Sequence, residues 1–283
     1  MKILPLAFES LGTRGMATFV ETNDIKILID PSVALAPIRF KLEPHPLELE
    51  RREEHWVSIK EKAAKADVLI VSHYHFDHFN PEEPEVFENK IALIKDYEKN
   101  TNKSQGGRGK KFCSQIKPKE LHIADGKTFK FGNTKIEFSK PVFHGTNNKL
   151  GYVIEVMIDD SSERLIYTSD IEGPVNRDQG NFILKKKPHY LILDGPMTYM
   201  LGYRYPTAAY ASAVAYMLTI LQKCPIKRMI VDHHLLRDSK WRERIAEVLT
   251  FGGNKVVCAA EFLGKKEDAL EYRRKELFKE FPV

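Results

Sequence analysis

The segment Asp67-Val-Leu-Ile-Val-Ser-His73-Tyr-His75-Phe-Asp77-His78 constrains this chain more than any other stretch. Four consecutive apolar residues, Val68 to Val71, read as a strand buried on both faces. At its exit His73 and His75 stand two apart, so in extended backbone their side chains project to the same side. Asp77 and His78 follow where the chain turns and can face a second point nearby. Neutral imidazole and carboxylate suit zinc, iron or manganese, and a set without cysteine keeps open positions for water. A single histidine is most often an ordinary core or surface residue. Four ligand-type side chains within one short turn, in a chain with only 10 histidines, read instead as half of a two-metal site.

The rest of the chain reads as α/β. Strands are expected over 2–8, 17–21 and 26–29, a charged helix over 47–65, and a strand over 90–94. Residues 96–120 change character: they hold three glycines and the basic residues Lys103, Arg108, Lys110, Lys111, Lys117 and Lys119, and read as a basic loop inserted at about 96–120. Strands resume at 121–123, 128–131, 135–139, 152–158, 164–167, 190–193, 227–231 and 256–259. Helices are expected from Thr207 to about Leu221, over 239–249 and over 265–281, with Lys185 to Lys187 in an exposed turn. Strands in runs, then alternating with helices, imply two mixed sheets packed together with helices outside. No linker separates two units, so residues 1–283 read as a single domain.

Composition narrows the function classes. With 42% apolar and 29% charged residues the chain has the balance of a globular protein, and no apolar run approaches the roughly 20 residues of a membrane span. The N-terminus does not read as a signal peptide. Cys113, Cys224 and Cys258 stand far apart with no CxxC pair, which points to reduced thiols and a cytoplasmic location. The net charge of +5 suits an anionic substrate without implying nucleic acid. Residues 99–111 contain no aromatic side chain, so the interleaved pattern of single-strand binding is missing. The expected partner is therefore a small-molecule or phosphorylated substrate. Nucleic acid stays open with no feature supporting it, and no membrane partner is expected.

The His73-to-His78 segment resembles the signature of the metallo-β-lactamase superfamily, which includes glyoxalase II, ribonuclease Z and lactonase-like enzymes. That family's other motifs have counterparts in the same order. Ile27-Leu-Ile-Asp30-Pro31 is similar to the first, whose Asp supports a ligand histidine from behind. Val142-Phe-His144-Gly145 is similar to the third, Ile166-Tyr-Thr-Ser-Asp170 to the fourth and Val231-Asp-His233-His234 to the fifth. The resemblance runs from about residue 8 to 262 and implies a four-layer αββα sandwich of two mixed β-sheets. It is nearest to an uncharacterised, largely archaeal family of metal-dependent hydrolases, through Ser104-Gln105, Asp194-Gly195-Pro196 and His233-His234-Leu-Leu-Arg237-Asp238. It implies two divalent metal ions, zinc first, with manganese or iron also suited. One would take His73, His75 and His144, the other Asp77, His78 and His233, with Asp170 bridging. His234 competes with His233. Arg237, four residues after His233 as in ribonuclease Z-like motifs, favours His233.

The activity so implied is hydrolysis of an ester or phosphodiester bond by a bridging hydroxide, with Asp77 also able to accept a proton. The basic segment and net charge lean it towards phosphodiester. The alternative is a mononuclear iron-dependent oxidoreductase of the persulfide dioxygenase type. The flavodiiron branch typically carries Glu at the second ligand position, where this chain has His75. The short gap between Asp170 and His233 leaves no room for an extra nuclease domain. Substrate contacts are expected from Arg108 in the basic segment, and from Asp194, Tyr199, Tyr203 and Arg204 beyond the 190–193 strand.

Overall fold

The computed structural model describes residues 1–282. Strands β1 (Lys2–Ala7), β2 (Ala17–Glu21), β3 (Lys26–Ile29), β4 (Val68–Val71), β5 (Ile91–Ile94) and β6 (Glu120–Ile123) form the first sheet, side by side in chain order. β1 to β3 pair antiparallel and β3 to β6 parallel. Parallel neighbours need long crossovers, and here these are helices α1 (Pro46–Lys65), between β3 and β4, and α2 (Lys103–Gln115), between β5 and β6.

The second half repeats the scheme. β7 (Thr128–Phe131) and β8 (Thr134–Phe138) precede a small separate ribbon, β9 (Val142–Phe143) with β10 (Tyr152–Val153). They are followed by β11 (Val156–Asp159), β12 (Arg164–Tyr167), β13 (Tyr190–Asp194), β14 (Arg228–Asp232) and β15 (Val256–Val257). The order across this sheet is β7-β8-β11-β12-β13-β14-β15, antiparallel up to β12 and parallel beyond it. Helices α3 (Arg177–Lys186), α4 (Thr207–Lys223), α5 (Trp241–Arg244) and α6 (Ala246–Gly252) make its crossovers, and α7 (Ala259–Phe262) and α8 (Arg274–Glu280) follow.

The two-residue period of each strand sorts its side chains between layers. Ile27, Ile29, Val68, Ile70 and Leu93 share one core with Ile136, Val156, Ile158, Leu165 and Ile192 of the second sheet. Their alternates Leu28, Leu69, Val71, Ala92 and Ile94 pack with Trp56, Ile59 and Ala63 of α1 and Phe112 of α2. Ile183 of α3 and Met217 and Ile220 of α4 join the core of the second sheet. The result is the expected helix–sheet–sheet–helix sandwich. Each fully buried Leu, Ile or Val in it contributes about 1.5–3 kcal/mol. Among the described residues no helix is long and apolar enough to cross a membrane.

Four local expectations are corrected. The stretch at 96–120 is no plain loop, because it contains α2. The side chain of Asn102 caps that helix at the amide of Gln105, and Gln105, Gly109 and Phe112 form its buried face. Two of its three glycines, Gly106 and Gly109, mark close packing: a Cβ on Gly109 would lie 2.5 Å from Tyr97 Cβ and 2.7 Å from the Tyr74 ring. The helix expected over 239–249 divides at Ile245 into α5 and α6. The helix expected over 265–281 is reduced to a short turn, Glu271–Arg273, and α8. Ion pairs fix this last segment to the body. Arg274, fully buried, donates to both oxygens of Glu48 at 2.8 Å and to the carbonyls of Leu42 and Ala36. Lys185 and Lys186 close α3, and only Lys187 adopts a left-handed turn conformation.

Glu271 takes two bonds from Arg14, at 2.6 and 2.7 Å, and lies 3.6 Å from Arg39. Burial alone would raise its carboxyl, yet Arg14, with Arg237 and Arg39, pulls it down to about 2 from the usual 4.5. Its stabilising contribution is complete above pH 4.5 and disappears as pH falls towards 2, for a total of about 3 kcal/mol. Glu271→Gln is expected to lower stability by about that amount at pH 7 and to flatten acid unfolding between pH 4.5 and 2. Denaturant melts across that range would measure both effects.

Candidate metal centre

The carboxyl ends of β3, β4, β12, β13 and β14 converge at one edge of the sandwich, where ligands bind in sheets of this kind. Non-glycine residues there take left-handed backbone: Asp30 at φ 48°, Ser169 at 58°, Glu172 at 54° and His233 at 58°. Such conformations cost about 1–3 kcal/mol each and persist where the surroundings over-determine them.

His73, His75, His144 and Asp170 bring one donor atom each within 4.8 Å of one another. His75 offers Nδ1, 3.1 Å from His144 Nε2, and His73 Nε2 lies 3.5 Å from Asp170 Oδ2. Asp77, His78 and His233 form a second such group. Asp170 stands between the two. Its Oδ2 is 3.2 Å from His144 Nε2, while its Oδ1 is 2.9 Å from His78 Nε2 and 3.3 Å from His233 Nε2. His73 Nε2, His78 Nε2 and Asp170 Oδ1 are buried without a hydrogen-bond partner among the described residues. Buried polar atoms left open in this way, all lone-pair donors, fit divalent metal ions.

The other ring nitrogen of these imidazoles is mostly tied to an acceptor, the arrangement that fixes tautomer and ring plane. His78 Nδ1 donates to Asp30 at 2.7 Å, His233 Nδ1 to Glu9 at 2.9 Å and His234 Nδ1 to Asp194 at 3.0 Å. His73 Nδ1 sits between the hydroxyls of Ser72 and Ser169, at 3.3 and 3.2 Å. Asp30 is itself held by the Ser72 amide and hydroxyl and by the Tyr167 hydroxyl of the second sheet.

Charge follows this geometry. Burial, with His144 beside it, brings His75 down to about 3, and burial with His78 brings His73 well below its usual value, so both rings are neutral. Burial opposes charge on His78 as well, but Asp170, Asp30 and Asp77 outweigh it and raise that ring to about 10. His233 rises well above its ordinary value against burial, through Glu9 and Asp170. Burial would raise Asp77, yet His78, His233 and Arg237 hold it at about 2, so it is ionised.

The structure therefore brings together His73, His75, Asp77, His78, His144, Asp170 and His233, with Asp30 directly behind His78. His234 joins a group with Asp170 and His233 but not the one with Asp77 and His78. Tyr199, Tyr203 and Arg204 line a cavity of about 520 Å³ that opens onto His144 and His234. Arg108 stacks its guanidinium on Phe76, 4.4 Å from the ring centre. Asp194 does not line the pocket as expected. It is fully buried behind His234, where it also accepts the Glu172 amide. Three residues escaped the sequence reading: Glu9, Ser169 and Glu172. Glu9 had one signal, as the lone acid in the stretch from Lys2 to Leu11. It holds His233 and, at 2.8 Å, Arg237.

Comparison with known proteins identifies the family and the fold. The profile of the metallo-beta-lactamase superfamily matches residues 12–233, and the chain belongs to that superfamily. Within it the chain groups with archaeal UPF0282 proteins: it is 51% identical over 288 residues to the one from Korarchaeum cryptofilum, covering 100% of this chain and 96% of that one. Solved structures share the fold, two of them over most of both chains. One is a possible metal-dependent hydrolase from Veillonella parvula, with 13% identity, a TM-score of 0.58 and coverage of 87% of this chain and 94% of that one. The other is an isothiocyanate hydrolase from Delia radicum gut bacteria, with 16% identity, a TM-score of 0.59 and coverage of 91% and 95%.

The acids beside His78 and His233 favour the protonated rings, raising His78 to about 10, so metal uptake must displace those protons. Adding zinc to metal-free protein in weak buffer at pH 7 is expected to release roughly two protons per chain, and metal affinity to fall as pH drops from about 10. Asp30→Asn should weaken metal binding by about 10–100-fold by freeing the His78 ring. Titration calorimetry in two buffers would read both.

Proposed function

We propose that this protein is a metal-dependent hydrolase that cleaves an ester or phosphodiester bond in a small-molecule or phosphorylated substrate, with a dinuclear centre. The observation that carries the reading is Asp170, whose two carboxylate oxygens face two different groups of donors. In this reading His73, His75 and His144 hold one ion and Asp77, His78 and His233 the other, with Asp170 shared. His233 is preferred to His234 because it alone of the two approaches Asp77, at 3.8 Å. Zinc is the first candidate, with manganese or iron also compatible with the nitrogen and oxygen donors.

Two divalent ions bound there would acidify a water and polarise the bond under attack. The protein's own groups do the rest. Asp77, ionised and 3.6 Å from Arg237, can accept the proton of the attacking water. Glu9 and Asp30 hold the His233 and His78 rings, so the donors do not reorganise during the reaction. The open face of the cluster, at His144 and His234, admits the substrate from the adjoining cavity.

Elemental analysis of purified protein should find two zinc or manganese ions per chain, and loss of at least one in Asp170→Ala. His233→Ala should lose metal, and His234→Ala should retain it. Bis-nitrophenyl phosphate, thioesters and lactones would then separate the bond classes, with activity on at least one falling by about 10³-fold or more in Asp77→Ala. A single iron with oxygen uptake would overturn this in favour of the oxidoreductase.

A further inference from the structure

The cavity beside the cluster has a built wall and an unbalanced charge. Its buried lining is His144, Glu172 and His234. Met197, Tyr199 and Met200 line it half-buried, and the exposed Leu150, Tyr203, Lys149 and Arg204 stand at its mouth. The volume of about 520 Å³ is that of a pocket for one small molecule. Two thioethers and two aromatic rings offer polarizable apolar surface to a compact body. Neither Lys149 nor Arg204 has a carboxylate within ion-pair distance among the described residues, although the protein pairs many of its other cations. The nearby acid, Glu172, lies at the opposite end, 3.7 Å from His144.

The wall is fixed in place. The carbonyl of Met200 accepts the amides of Tyr203, Arg204 and Tyr205 at 3.0 to 3.1 Å, which closes the loop on itself. The Tyr205 hydroxyl ties that loop to the Glu172 carbonyl at 2.6 Å. The Tyr199 ring packs on the Arg39 guanidinium at 4.9 Å, and Arg39 in turn donates to the Arg237 carbonyl at 3.0 Å. A preformed cavity of this kind binds without first ordering its lining.

We propose that this cavity binds a small amphipathic anion: an aromatic or aliphatic body between the methionines and tyrosines, and one acidic group held at the mouth by Lys149 and Arg204. The site deepens the hydrolase reading by naming its substrate class, and that reading supplies only the position of the bond cut, at the His144 end. Charge at the mouth and apolar surface within define the ligand, and an extended polyanion has no second cationic row here to follow.

The test uses the full chain and two fluorescent probes, 8-anilinonaphthalene-1-sulfonate and its uncharged relative N-phenyl-1-naphthylamine. The sulfonate is expected to bind once per chain. A Lys149→Glu/Arg204→Glu double variant, changed only at exposed side chains, should weaken the sulfonate by about tenfold or more and the uncharged probe by less than about twofold. Met200→Asp should weaken both. Far-ultraviolet circular dichroism and the melting temperature verify that each variant is folded. Equal sulfonate affinity in wild type and the double variant, or several equivalent weak sites, would overturn the proposal. Repeating the titration in Asp170→Ala separates the two readings. Retained binding there, together with an absence of hydrolysis of every ester and phosphodiester tried on the wild type, would sink the hydrolase and leave the anion site standing.

Discussion

One buried carboxylate holds the rest together. Asp30 directly follows β3 and takes bonds from the amide and hydroxyl of Ser72 just after β4, from the hydroxyl of Tyr167 on β12, and from the ring of His78. Those partners belong to both sheets and to the metal cluster. Asp30 is fully buried, so its charge is tolerable only because every one of these donors is present. The packing of sheet on sheet and the aim of His78 are thereby a single constraint, and neither can shift alone.

The same device recurs around the cluster. Carboxylates at Glu9 and Asp194 hold His233 and His234 as Asp30 holds His78. Asp194 and the neighbouring Asp232 sit at the last positions of adjacent parallel strands, β13 and β14; Asp194 also accepts the Glu172 amide from the loop after β12, and Asp232 the amide of His233 just beyond β14. The sheet ends are thus cross-braced by acids before any ion binds. The left-handed residues at this edge are the conformational cost of turning the chain so sharply while keeping these acids in place.

How far the sequence reveals this depends on distance along the chain. His73, His75, Asp77 and His78 are readable because strand periodicity places neighbours in space. His144, Asp170 and His233 lie far from that segment and are found only through the resemblance, since no local rule links them to it. Glu9 pairs with a residue near the other end of the chain, so its role has almost no local signature. The α2 helix hides behind its glycines, which lower helix propensity while Gly106 and Gly109 serve contact with Tyr97 and Tyr74. Asp194 shows the limit of strand-end reasoning, which finds the right edge of the sheet but not the side of His234 on which an acid will stand. The layered fold was readable because burial imposes its pattern on every strand, whereas the C-terminal segment follows ion pairs that have no period.

The chain of contacts from Asp77 through Arg237 and Arg39 to Glu271 has a consequence for how the molecule is made. Synthesis delivers the His73-to-His78 half of the donor set early, with β12 to β14 and the Glu271 clasp still to come. A chain made only as far as His78 therefore offers part of the donor set, which is complete only when His144, Asp170 and His233 have joined it. Bringing together groups so distant in sequence costs loop-closure entropy, which slows folding. Metal acquisition is thereby tied to the completion of the fold rather than to the appearance of its most recognisable motif.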